Sequence, residues 1–161
     1  MFRTAKTPPS ADISVNDDTL VPISNYYLSY DGRIYSFDGV YAVYMDMQAY
    51  RKAGKGDRIK VELDEEALNG ATIKNARVYD YWIDKEGVIK TWNRFNYLPL
   101  ENVQIEENSV SFEMGMNMAQ SLSSTYDPEG FYRGMAVECD LSDGNTAVYY
   151  FVLHTVYHIV E

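Results

Sequence analysis

This chain has one cysteine and two histidines in 161 residues, and each scarcity removes a class of function. With Cys139 alone, neither an intramolecular disulfide nor a cysteine-cluster zinc site can form. No hydrophobic run approaches the ~18 residues that an apolar helix needs to cross a bilayer. Positive charge is also short: 14 Lys and Arg stand against 24 Asp and Glu, a formal net charge of −10. Such a surface repels phosphate, which argues against nucleic acid and against docking on anionic lipid. Cations, basic proteins and neutral ligands remain as partners. There is no HExxH, no nucleophile elbow and no phosphate-cradling glycine loop.

Long helical periodicity is scarce too. In its place stand period-2 alternation and turn dipeptides, with 15 Tyr against 6 Phe. Tyrosine suits strands and half-wet surfaces, because its ring packs while its hydroxyl meets water. "ADISV" reads as a strand with Ile13 and Val15 on one face. "NYYLSYDGRIYSF" reads as a hairpin, since Asp31-Gly32 accepts the positive φ angles of a two-residue turn. "GVYAVYMDM" is read as a strand, and "QAYRKAGKGD" as a basic, glycine-punctuated loop. "RIKVEL" is a strand with Ile59, Val61 and Leu63 inward, and "DEEALNGAT" a turn or one helical turn.

"IKNARVYDYWIDKEGVIKTW" predicts two strands around "DKEG", carrying Trp82 and Trp92; "NVQIEENSVSFEMGM" repeats the pattern around "EENS". A short helix or loop over "MNMAQSLSSTYD" leads to "GMAVECDL", the turn "SDGN" and the run "TAVYYFVLHTVYHIV". Roughly nine to eleven strands at spacings of about 8–12 residues predict an all-β fold. The architecture expected is a single antiparallel β-sandwich, immunoglobulin-like or related, with at most one or two short helical turns. A domain over residues 11–161 would follow a polar tether over 1–10, and at this length it buries roughly two-thirds of its unfolded surface. "MFRTAKTPPS" lacks the apolar core of a signal peptide. Met1 is read either as standing in place of a removed export signal or as a cytoplasmic start.

The histidines, His154 and His158, lie four residues apart near the end of the sequence. On a helix they would share a face and clasp zinc. Val, Tyr, Phe, Thr and Ile crowd residues 147–160, which favours a strand. There, positions four apart lie about 13 Å from each other, too far to share one ion. The strand reading is preferred. Among the acidic loops, Asp140, Asp143 and Asn145 are the best calcium candidates, but hairpin turns prefer Asp, Asn and Gly for backbone reasons alone, so no cofactor is expected. Cys139 sits in a strand pattern, where a lone thiol acts as a small hydrophobe. A Cys139–His154 pairing across the last hairpin is conceivable, but nothing is placed to activate the thiol. No catalytic constellation emerges, and the chain is expected not to be an enzyme.

Aromatic density is the remaining lead. Tyr79, Tyr81, Trp82, Trp92, Phe95 and Tyr97 gather around one predicted hairpin, and outward rings on a sheet make a platform for sugars or a partner protein. Alternation places Tyr79 and Tyr81 on one face and Trp82 on the other, without deciding which face is the core. Tyr79, Tyr81, Trp82 and Trp92 are the candidate ligand-binding residues.

"TPPSADISVNDDTLVPISNYYLSY", with Pro8, Pro9, Ile13, Val15, Leu20 and Tyr26, resembles the opening of extracytoplasmic β-sandwich domains in Gram-positive bacterial lipoproteins. "GDRIKVEL" and "AVECDLSDGNTAVYYFVL" are similar to their middle and final strands. Leu28 stands where those domains carry Trp. The resemblance implies a binding or sensing role outside the membrane, with contact to the membrane only through a lipid on a cysteine outside this sequence. Two other expectations are an acidic, phage-type inhibitor of a basic host protein and a carbohydrate-binding module.

Overall fold

The alternation of "RIKVEL" is fully realised: Ile59, Val61 and Leu63 are buried, while Arg58 and Glu62 face outward. The same logic extends through a computed structural model that describes residues 9–19, 26–29, 40–90, 94–121 and 128–156. In chain order its first half runs β1 (Ala11–Val15), β2 (Asp18–Thr19), β3 (Tyr26–Ser29), α1 (Val40–Asp46), β4 (Tyr50–Lys52), β5 (Arg58–Leu63) and α2 (Glu65–Leu68). Then come β6 (Ile73–Ile83), a 3-10 turn (Arg94–Tyr97), β7 (Gln104–Ile105), β8 (Ser109–Glu113), α3 (Met118–Ser121), β9 (Phe131–Leu141) and β10 (Thr146–Thr155).

Two sheets form, and neither closes into a barrel, so the molecule is an all-β, sandwich-like fold. The first sheet has the order β2-β1-β5-β8-β7, all antiparallel. Its edge strands are two residues long, which leaves little unpaired backbone for another chain to join. In the second, order β3-β10-β9-β6, the long hairpin of β9 and β10 is the spine. Strand β10 uses its other edge twice, pairing antiparallel with β3 over its first half and parallel with β4 near its end. The outer edge of β6 is closed by the segment that follows it. Leu100 donates to the Val78 carbonyl, Lys90 to the Trp82 carbonyl, and the Asn96 side chain accepts from the Trp82 amide.

Register sorts the second sheet into two faces. Met135, Val137, Cys139, Tyr149, Phe151 and Leu153 point inward with Val78 and are buried. They meet Ile13, Ile59, Val61, Val110 and Phe112 of the first sheet in one cluster. Each such aliphatic or aromatic side chain contributes about 1.5–3 kcal/mol relative to exposure.

The expected strand "GVYAVYMDM" is instead helix α1. Val40, Tyr41 and Tyr44 fall on one helical face and are buried against the outer side of the second sheet. The Tyr41 hydroxyl donates to the Met135 carbonyl (3.0 Å), and that of Tyr44 to the Tyr150 carbonyl. Packing and two sheet-directed hydrogen bonds outweigh the modest strand preference of Val and Tyr. Gly134 makes room, since a Cβ there would stand 2.8 Å from the Tyr41 ring. The "QAYRKAGKGD" loop also departs from expectation, because β4 lies within it.

The second half of the "DKEG" hairpin reduces to a single bridge between Ile83 and Ile89, and Trp92 lies outside the described residues. So do the Asp31-Gly32 turn and His158. The expected tether overlaps the folded body at its end: Pro9 is buried, its carbonyl accepts the Tyr149 hydroxyl (2.8 Å), and Ser10 accepts the Asp64 amide.

Candidate functional site: a tyrosine ridge on the outer sheet face

Successive side chains of a strand alternate between faces, so β6 sends Arg77, Tyr79 and Tyr81 outward and Val78, Asp80 and Trp82 inward. The rings of Tyr79 and Tyr81 are parallel within 4°, their centroids 5.9 Å apart. Tyr97, brought by the 3-10 turn, meets Tyr81 edge-on at 6.3 Å. On its other side Tyr81 leans on Tyr41 of α1, at 6.4 Å. Tyr79 and Tyr81 are half-buried, whereas Tyr97 is 51% exposed and the following Leu98 54%. The result is a ridge of three rings, flanked on the same sheet face by Tyr41 of helix α1.

Beside it runs a polar strip on the same face. The Arg77 guanidinium donates through Nε to Glu138 (2.9 Å) and through both terminal nitrogens to Asp140 (2.8 and 2.9 Å). Asp140 also accepts the Thr146 hydroxyl (2.9 Å). These bonds, with Arg77 the main cause, hold the Asp140 carboxyl below its ordinary value of 3.8. Tyr81 is shifted up, first by burial and then by neighbouring Tyr79 and Glu138, so its hydroxyl stays protonated and able to donate. Aromatic faces, a neutral hydroxyl and a planar guanidinium–carboxylate strip are the groups that bind a hydroxyl-rich ligand.

Of the four candidate residues, the structure therefore unites Tyr79 and Tyr81 and adds Tyr97. It separates Trp82, which turns inward, is buried with Ala119 and Phe131, and has the Lys90 ammonium 4.2 Å from its ring centroid. The calcium candidates part as well. Asp140 is bound to Arg77, while Asp143 accepts the Asn145 amide (3.0 Å) inside the β9–β10 turn. Among the described residues no three His, Cys, Asp or Glu side chains gather as a metal-holding group.

Cys139 and His154 cannot pair, because register puts them on opposite faces of the sheet. The thiol is buried and is pushed up to about 12, mainly by loss of water. His154 stands on strand β10, as its neighbours predict. It stacks on Tyr132 (4.5 Å, 16°), and its Nε2 lies 2.8 Å from the Glu129 carbonyl, which fixes that nitrogen as the donor. The Arg77–Glu138–Asp140 strip has no local signature in the sequence. Arg77 stands two residues before Tyr79, and its partners lie more than sixty positions away.

No family model, no curated protein and no solved structure matches this chain.

Proposed function

We propose that this chain is a non-enzymatic, extracytoplasmic binding domain of a surface-anchored protein, and that the tyrosine ridge takes a carbohydrate. The observation that carries the reading is the Tyr79–Tyr81–Tyr97 ridge lying alongside the Arg77 ion-pair strip. Sugar rings offer C–H faces to aromatic side chains and hydroxyls to charged planar groups, and this surface presents both. The net charge of −10 suits a neutral ligand better than an anionic one. The buried, protonated thiol of Cys139 and the committed Nε2 of His154 support a role without nucleophilic chemistry. Placement outside the membrane draws its support from the sequence likeness to lipoprotein sandwich domains.

The test is calorimetric titration with soluble hexasaccharides of different linkage, using the wild type, Tyr97→Ala and Tyr81→Ala. Binding of at least one glycan is expected, weakened up to about tenfold by each substitution, as aromatic contacts of this size imply. Absence of binding across the panel, or binding by both variants as tight as that of the wild type, rejects the carbohydrate reading.

A further inference from the structure

A cavity of about 490 Å³ opens between the segment after β8, the start of β9 and the end of β10, and none of the ridge tyrosines lines it. Its walls come from the end of β4 and the loop after it (Lys52 to Asp57), from Gly115 and Met116 after β8, and from the adjoining ends of β9 and β10. The size lies within the range of small-molecule sites. Its lining is mostly apolar, with Phe131, Ala53, Val156 and Met116, the last 51% exposed although it is a large hydrophobic residue.

Charge at the mouth runs against the rest of the molecule. Lys52 and Lys55 are exposed, line the cavity and have no ion-pair partner among the described residues. The other charges there are already committed. Arg133 is fully buried and paired with Asp80. Asp57 accepts the Gly54 amide (2.8 Å) and the Asn16 side chain (2.8 Å). Two lysines against one internally bonded carboxylate leave the mouth positive on a protein of net charge −10. At physiological salt, charges beyond about 8 Å are largely screened, so the local lysines outweigh the distant acids.

The walls are fixed before any ligand arrives. Arg133 donates to the Gly115 carbonyl (3.0 Å), and the Thr155 hydroxyl to the Ala53 carbonyl (2.6 Å). Three of the lining segments are thereby tied together. A pre-formed, mostly apolar chamber, with two ammonium groups at its mouth that have no ion-pair partner among the described residues, suits one class of ligand. We infer that this cavity binds a small organic anion with an apolar body, such as a medium-chain carboxylate, its tail against Phe131 and Met116 and its head at Lys52 and Lys55.

The probes are octanoate, 1-octanol and octyltrimethylammonium, titrated into the full chain by calorimetry. Octanoate is expected to bind at least about fivefold more tightly than octanol, and the ammonium compound least. Exchanging both lysines, Lys52→Gln with Lys55→Gln, removes that preference while leaving Phe131, Met116, Ala53 and Val156 in place. Gly115→Leu plugs the chamber, since a Cβ at Gly115 meets nothing within 4 Å and the carbonyl holding Arg133 remains; it is expected to abolish binding. Circular dichroism checks each variant's fold, and because both lysines are exposed, the double exchange still decides the matter if Gly115→Leu misfolds. No octanoate binding, equal affinity for octanol, an unchanged double variant, or full binding by a folded Gly115→Leu protein would each overturn the inference.

Discussion

Arg133 of β9 and Asp80 of β6 form an ion pair sealed from water, their side chains 1% and 3% exposed. The guanidinium Nε reaches both carboxylate oxygens, at 3.0 and 3.1 Å, and the Asp80 carbonyl accepts from Asn117 (2.9 Å). Taking one charge away leaves the other buried without compensation, which costs about 3–5 kcal/mol. Asp80→Ala is therefore expected to lower the free energy of unfolding by that amount in urea denaturation. Replacing both partners, Asp80→Leu with Arg133→Met, should cost much less, because an apolar pair of similar volume needs no counter-ion.

Gly134→Ala tests whether α1 is held by close approach. The added Cβ would meet the Tyr41 ring at 2.8 Å and the Ile83 side chain at 3.0 Å. Because Tyr41 is buried and bonded to Met135, it cannot swing away freely. A loss of about 1–3 kcal/mol is expected from overpacking. Tyr41→Phe, which removes only the hydroxyl, should cost about 1 kcal/mol. Thermal unfolding of both variants gives the comparison.

How far the sequence reveals this fold depends on whether a signal is local. "RIKVEL" and "ADISV" show their inward faces because period-2 alternation lies within a few residues, and both strands bury the residues expected. The β9–β10 hairpin is legible for the same reason, through "SDGN". Helix α1 is not, because what makes it helical is distant: a glycine in β9 and two backbone carbonyls about a hundred positions along. The candidate site divides in the same way. Alternation separates Tyr79 and Tyr81 from Trp82, but only the arrival of α3 with Ala119 shows that the tryptophan side is the buried one. The strip beside the ridge depends on cross-strand partners of Arg77 that no spacing rule reveals.

Acid should weaken the Arg77–Asp140 bridge. The folded carboxyl titrates below its ordinary 3.8, so its stabilisation is complete above that value and is lost as pH falls through the lowered one. Asp140→Asn should cost about 0.5–1 kcal/mol at neutral pH, a small effect because the pair is partly in water. The variant's urea midpoint should also fall less steeply than the wild type's as pH drops below 3.8. Parallel acid limbs for the two proteins would refute the assignment.

Base acts on Cys139 with the opposite sign. The thiol ionises at 9.0 when free and at about 12 in the fold. The folded state thus holds its proton where the unfolded chain has released it, and stability should decline between those values as pH rises. At pH 8 a thiol reagent should label the native protein only as fast as it opens, and label it at once in denaturant. Fast native labelling would place the side chain at the surface.

The double pairing of β10 sets an order of events during synthesis. Strands β3 and β4 emerge from the ribosome about a hundred residues before the strand they must flank. Until Thr146–Thr155 follows, their edges and the tyrosines of α1 lack the sheet they are shaped to cover. The second sheet must therefore assemble late and over long loops, a topology that folds slowly and is open to aggregation on the way.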